Sequence, residues 1–105
     1  MQLLPTTYNK NGFTFNQVNR EGDVAIYEQI MPETGKRIAY EVFEVLKKPP
    51  VTINGIDIPE RETCPGNEQW GNHGFTVYDL TSAKEKQAQI AKKIVNRQES
   101  KTVKQ

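Results

Sequence analysis

The chain has 105 residues, one domain's worth with room for a single modest core. Its residues are 35% hydrophobic and 26% charged. No run approaches the roughly 20 apolar residues of a membrane span, and the one cysteine, Cys64, excludes an internal disulfide. The net charge of +1 conceals a division: residues 1–79 hold seven Lys/Arg against eleven Asp/Glu, and residues 80–105 hold seven against two.

Residues 1–12 read as an irregular lead-in, with Pro5 and an Asn11-Gly12 pair. This end has neither the basic nor the apolar region of a secretory signal. Three extended runs follow. The first alternates Phe13, Phe15 and Gln17 with Thr14, Asn16 and Val18. The second sets Val24, Ile26 and Ile30 against Ala25, Tyr27 and Met31. The third sets Ile38, Tyr40 and Val42 against Ala39, Phe43 and Val45. Period two and a wealth of β-branched and aromatic residues predict strands, and the short intervening turns predict an antiparallel meander.

The sequence KKPP stops the third strand, because proline has no N–H to give to a ladder. Asn54-Gly55 then sits between two short alternating runs, a strong hairpin signal. A two-residue loop places Ile53 opposite Ile56 and Val51 opposite Ile58, all on one side of a flap. The expectation is that this flap lids one end of the sheet. The sharper alternative is a contact patch for a partner.

Residues 59–74 form a loop by composition, and Phe75, Val77, Tyr78 and Leu80 continue as a fourth strand. The chain then turns helical. Ser82-Ala-Lys-Glu85 matches a capping box. Ala83, Ile90, Ala91, Ile94 and Val95 share one arc, with Gln87 the polar intruder. The expected architecture is therefore α+β: an antiparallel meander of three to four strands plus a short flap hairpin, packed against one C-terminal amphipathic helix. The domain spans 13–97, residues 98–105 form a polar tail, and the second face of the sheet is left partly wet or covered by a partner.

Ten positions of the long loop hold the only cysteine, tryptophan and histidine. A zinc site wants close ligand pairs, which Cys64 and His73 do not supply. A nucleophile–base pair needs contact between the two and an orienting third group, which the spacing does not enforce. Trp70, flanked by Gly71 and Gly74, reads as an anchor that folds back and pins the loop. Its functional alternative is an exposed stacking platform. Phosphate-loop, G-x-S-x-G and H-E-x-x-H signatures are missing from the sequence, and Glu41, mid-strand, is expected to point outward. We expect no enzyme, cofactor or metal.

The segment from Tyr40-Glu41-Val42 through Pro59, Glu62, Pro65, Trp70-Gly71, Gly74-Phe75-Thr76, Leu80 and Ala83 resembles small proteins carried by bacteriophages and mobile elements. The resemblance covers about residues 38–90. It implies a mobile-element context, hence a virion as a second location beside the cytoplasm that the single cysteine already suggests, and no catalytic residues.

The leading expectation is a non-catalytic protein-interaction module, an assembly component or an inhibitor of a host factor. Val51, Ile53, Ile56, Ile58, Trp70 and His73 are its candidate contact residues. Self-association through an open sheet edge is a further route. No membrane partner is expected. The alternative is nucleic-acid binding through Lys84, Lys86, Lys92, Lys93 and Arg97, with loss of binding at high salt as its signature.

Overall fold

The computed structural model describes residues 1–103, the side chains of Asn67 and of 99–103 excepted. The lead-in is not irregular. Thr7–Lys10 forms strand β1, which pairs antiparallel with β2, Phe13–Glu21. Asn11 and Gly12, with φ of 53° and 82°, make the two-residue turn between them. Both residues tolerate positive φ, so this turn matches the twist of its strands. Strand β3, Val24–Met31, and β4, Lys36–Glu44, extend the meander.

After β4 the chain leaves the sheet as a hairpin arm. Leu46–Lys48 (β5) pairs with Arg61–Thr63 (β8), and Val51–Ile53 (β6) pairs with Ile56–Ile58 (β7). Both ribbons keep one register, counting outward equally from the Asn54-Gly55 turn. They are separated where Pro49 and Pro50 stand across from Glu60 and Pro59. Prolines cannot donate to a ladder, so the pairing lapses there and resumes beyond.

Strand β9, Gly74–Val77, returns beside β4 and completes a sheet ordered β1-β2-β3-β4-β9. Helix α1, Leu80–Val103, closes the fold. The helix continues through most of the expected polar tail; Lys104 and Gln105 lie outside the described residues. Tyr78 and Leu80 do not extend the strand. Tyr78 is exposed, and Leu80 already begins the helix.

The N-cap is Asp79 rather than Ser82. The Asp79 carbonyl accepts the first helical bond, from Ala83 N at 3.1 Å, and its Oδ1 accepts from Ser82 N at 2.7 Å. Ser82 sits at the third helical position and donates its hydroxyl back to Asp79 Oδ2 at 3.0 Å. These bonds hold the Asp79 carboxyl below the usual range.

Helix α1 lies across β3, β4 and β9. Val24, Ile26, Tyr40 and Val42 meet Ala83 and Ile90, with Phe75, Val77, Ala91 and Ile94 partly buried around them. Val95, at the margin of the arc, is half exposed. Gln87 is buried and satisfied: its Nε2 donates to Asn19 Oδ1 at 3.0 Å and to the Val24 carbonyl at 3.1 Å.

The second face of the sheet is covered by the chain itself. Phe15, Ala25, Tyr27, Phe43 and Val45 form its core, with Leu4, Tyr8, Cys64 and Trp70 against it. Five rings run in a row: Tyr8 to Phe15 at 5.0 Å, Tyr8 to Tyr27 at 5.3 Å, Tyr27 to Phe43 at 5.5 Å and Phe43 to Trp70 at 6.3 Å. Such pairs add about 0.5–1.5 kcal/mol each beyond burial. The ladder register shifts between Gln17 and Asn19, and again between Gln29 and Ile30. Val18 and Ile38, the extra residues at these shifts, are displaced from the alternation and are among the exposed large side chains.

Candidate functional site

The arm's root is fixed by Glu62. It accepts from both terminal nitrogens of Arg20, each at 2.7 Å, and from Leu4 N at 3.1 Å. Backbone bonds from Gln2 N to the Glu60 carbonyl and from Glu62 N to the Gln2 carbonyl, both 2.8 Å, tie the N-terminal segment to β8. The Arg20 hydrogen bonds, opposed by burial and helped by Leu4 N and the cationic charges, lower the Glu62 carboxyl to about 2. Glu62 is a structural clamp here, with both oxygens occupied. Beyond this root the arm's tip is largely exposed. Val51, Ile53 and Ile56 are 41%, 52% and 66% exposed. The flap does not lid the sheet: the lapse in pairing carries it away from the core. On its other side, Thr52 Oγ1 donates to Asp57 Oδ1 at 2.7 Å.

Trp70 is an anchor. Its ring tilts against Phe43, and its Nε1 donates to Thr76 Oγ1 at 3.0 Å. The indole lies on the backbone of Gly74, where an added Cβ would meet the ring itself. A single 3₁₀ turn at Asn67–Gln69 brings the chain round, and the Gln69 carbonyl accepts from both Asn72 N and His73 N. The ring remains half-buried, with one edge on a cleft shared with Glu41, Cys64, Phe13 and Phe15.

His73 goes elsewhere. Its Nδ1 lies 3.1 Å from Glu44 Oε1, and Arg97 donates to Glu44 Oε2 at 2.6 Å. An ionised carboxylate only accepts, so Nδ1 carries the proton. Burial pushes the Glu44 carboxyl up, but the bonds and charges of Arg97 and His73 outweigh it and hold it low. These groups, with Asn72, Lys93, Asn96 and Ile90, line a hollow of about 360 Å³ beside α1. Cys64 packs with the rings of the second face instead, so Cys64 and His73 share no cavity. Among the described residues no three His, Cys, Asp or Glu side chains gather as metal ligands would.

The cations of the helix are unequally committed. Lys86 sits 4.3 Å over the Phe75 ring, Lys93 Nζ donates to Asn72 Oδ1 at 3.4 Å, and Arg97 holds Glu44. Lys84 and Lys92 face solvent. No described helix is long and apolar enough to cross a membrane.

Two site features escaped the sequence reading. Glu62 was legible only as one carboxylate among several, since its partners lie 42 and 58 positions away. Glu41 does not point outward: the alternation that buries Ala39 and Phe43 together places Glu41 between them on the aromatic face, and that parity was the available signal. No protein-family model matches the chain, and no curated protein or solved structure is significantly similar to it.

Proposed function

We propose that the chain is a non-catalytic protein-interaction module of phage or mobile-element type, an assembly component or an inhibitor of a host factor, and that it engages its partner with the apolar face of the hairpin arm. The observation that carries this reading is the exposed tip, where Val51, Ile53 and Ile56 lie on one side of the ribbon with the half-buried Ile58, cross-strand from one another. An isolated two-stranded ribbon is marginal in water, and aliphatic side chains on it gain by being covered. Full burial of a wholly exposed side chain of this kind contributes about 1.5–3 kcal/mol; with about half of each already covered, the tip gains about half that per side chain, enough for a small apolar anchor.

The test uses a photo-crosslinking residue at Ile58 in the cells that make the protein. One discrete adduct is expected, and it disappears when Ile53→Asp and Ile56→Asp are added. The double variant melts within a few degrees of the parent, because both side chains are more than half exposed. An adduct pattern unchanged by the double variant overturns the reading.

Nucleic-acid contact through Lys84, Lys86, Lys92, Lys93 and Arg97 draws less support, since three of the five already have partners within the chain. It predicts oligonucleotide binding that weakens steeply with salt.

A further inference from the structure

Several carboxylates are sheltered by the fold and held by arginine: Glu62 by Arg20, Glu44 by Arg97, and Glu28 at 3.9 Å from Arg37. Glu41 differs: it makes no side-chain hydrogen bond and no ion pair with any described residue, and Lys10 acts on it only through its charge. Its position in the ladders is opposite Tyr27 on β3 and Thr76 on β9, and Thr76 is the residue that receives the Trp70 N–H. Around it Phe13, Phe15, Cys64 and Trp70 form the walls of a cleft of about 170 Å³, with Lys10 and Gln29 also lining it. Burial pushes the Glu41 carboxyl up, with Lys10 opposing.

A carboxylate partly withdrawn from water and left unpaired costs stability. What relieves it is a positive charge, and three aromatic side chains, Phe13, Phe15 and Trp70, line the cleft beside it. A planar or compact organic cation suits both features, pairing with the carboxylate and packing against aromatic rings. The cleft is too small for a drug-sized molecule, which takes about 300 Å³ or more, and suits the end of one side chain. We propose that this cleft binds a guanidinium or ammonium group, with Glu41 as its counter-ion and Trp70 as one wall. Lys10, also in the lining, lowers the field that the bound cation would meet.

The cleft and the arm's tip share no lining residue, so binding at either can fail alone. Trp70 is the only tryptophan, so its emission reports occupancy directly. The experiment titrates the full chain with methylguanidinium, with free arginine, and with arginine blocked at both ends (Nα-acetyl-arginine methylamide), all at constant ionic strength. The identically blocked citrulline is the neutral control. A saturable change is expected, with the blocked arginine bound at least tenfold more tightly than the blocked citrulline. Glu41→Gln is expected to weaken binding at least tenfold while leaving the melt unchanged or raised. Lys10→Gln is expected to tighten it two- to fivefold. Preference for the blocked form assigns the cation to a polypeptide side chain; preference for free arginine assigns it to a small metabolite. Equal binding of the citrulline compound, or undiminished binding by Glu41→Gln, overturns the proposal.

Discussion

Glu62 and Glu41 are both sheltered carboxylates, and the fold treats them oppositely. Glu62 receives two hydrogen bonds from Arg20 and one from Leu4 N, and its carboxyl falls to about 2. Glu41 receives none, and burial pushes its carboxyl up. The first joins three parts of the chain: the N-terminal segment, β2 and the root of the arm. The second joins nothing and faces a cleft. A charge whose partners are supplied by the fold serves the fold; one without partners is a cost that folding alone does not explain.

The largest expected effect is at the clamp. Glu62→Gln leaves Arg20 without its counter-ion and destabilises by about 2–3 kcal/mol, a fall in Tm on the order of 10–20 °C by calorimetry. Replacing both partners with apolar residues, Arg20→Met with Glu62→Leu, recovers most of that loss; a double variant as unstable as the single one would show that Glu62 is not held by Arg20's charge. Next is the wall of the cleft. Gly74→Ala pushes the indole off its backbone seat and costs about 1–3 kcal/mol, read together with a shift in Trp70 emission.

The pH dependence sharpens the comparison, because the signs differ. Glu62 has its folded value below the usual carboxylate range, so its stabilisation is complete above that range and is lost as pH falls toward 2. The deficit of Glu62→Gln should therefore shrink between pH 5 and pH 3. Glu41 has its folded value raised, so its favourable contribution is present in acid and is lost as pH rises through that value. The smallest effect follows: Glu41→Gln raises stability at pH 7 by about 1 kcal/mol or less, and the gain vanishes in acid. A variant less stable than the parent at neutral pH would place a partner on Glu41 after all.

Much of the fold was legible in the sequence. The alternation of Val24, Ile26, Tyr40 and Val42 marks the face that receives α1, and the helical arc marks its counterpart. Asn54-Gly55 marks its turn, with the pairing of Ile53 and Ile56 that the loop length dictates. The misses have local physical causes. Asn11-Gly12 makes the same turn, but β1 is four residues long and mostly polar, so its period was unreadable. Single extra residues at Val18 and Ile38 reset the alternation, which no count of period two can anticipate. Ser82 matched a capping pattern that Asp79, three residues earlier, fulfils instead. The flap does not lid the sheet, because Leu4, Tyr8 and Trp70, from the N-terminal segment and the long loop, cover the second face instead. For the candidate sites, composition identified the isoleucines of the arm, and only three-dimensional pairing separated Glu41 from the other acidic residues.

The prolines at the waist of the arm also act as a safeguard. An exposed isoleucine-rich ribbon with two free edges is a template on which other chains could stack, and stacking requires an uninterrupted extended run of about six or seven residues. Here Pro50 and Pro59 leave only three residues of strand on either side of a tight turn. The protein can therefore display a greasy fingertip to its surroundings without offering enough continuous backbone to seed a fibril.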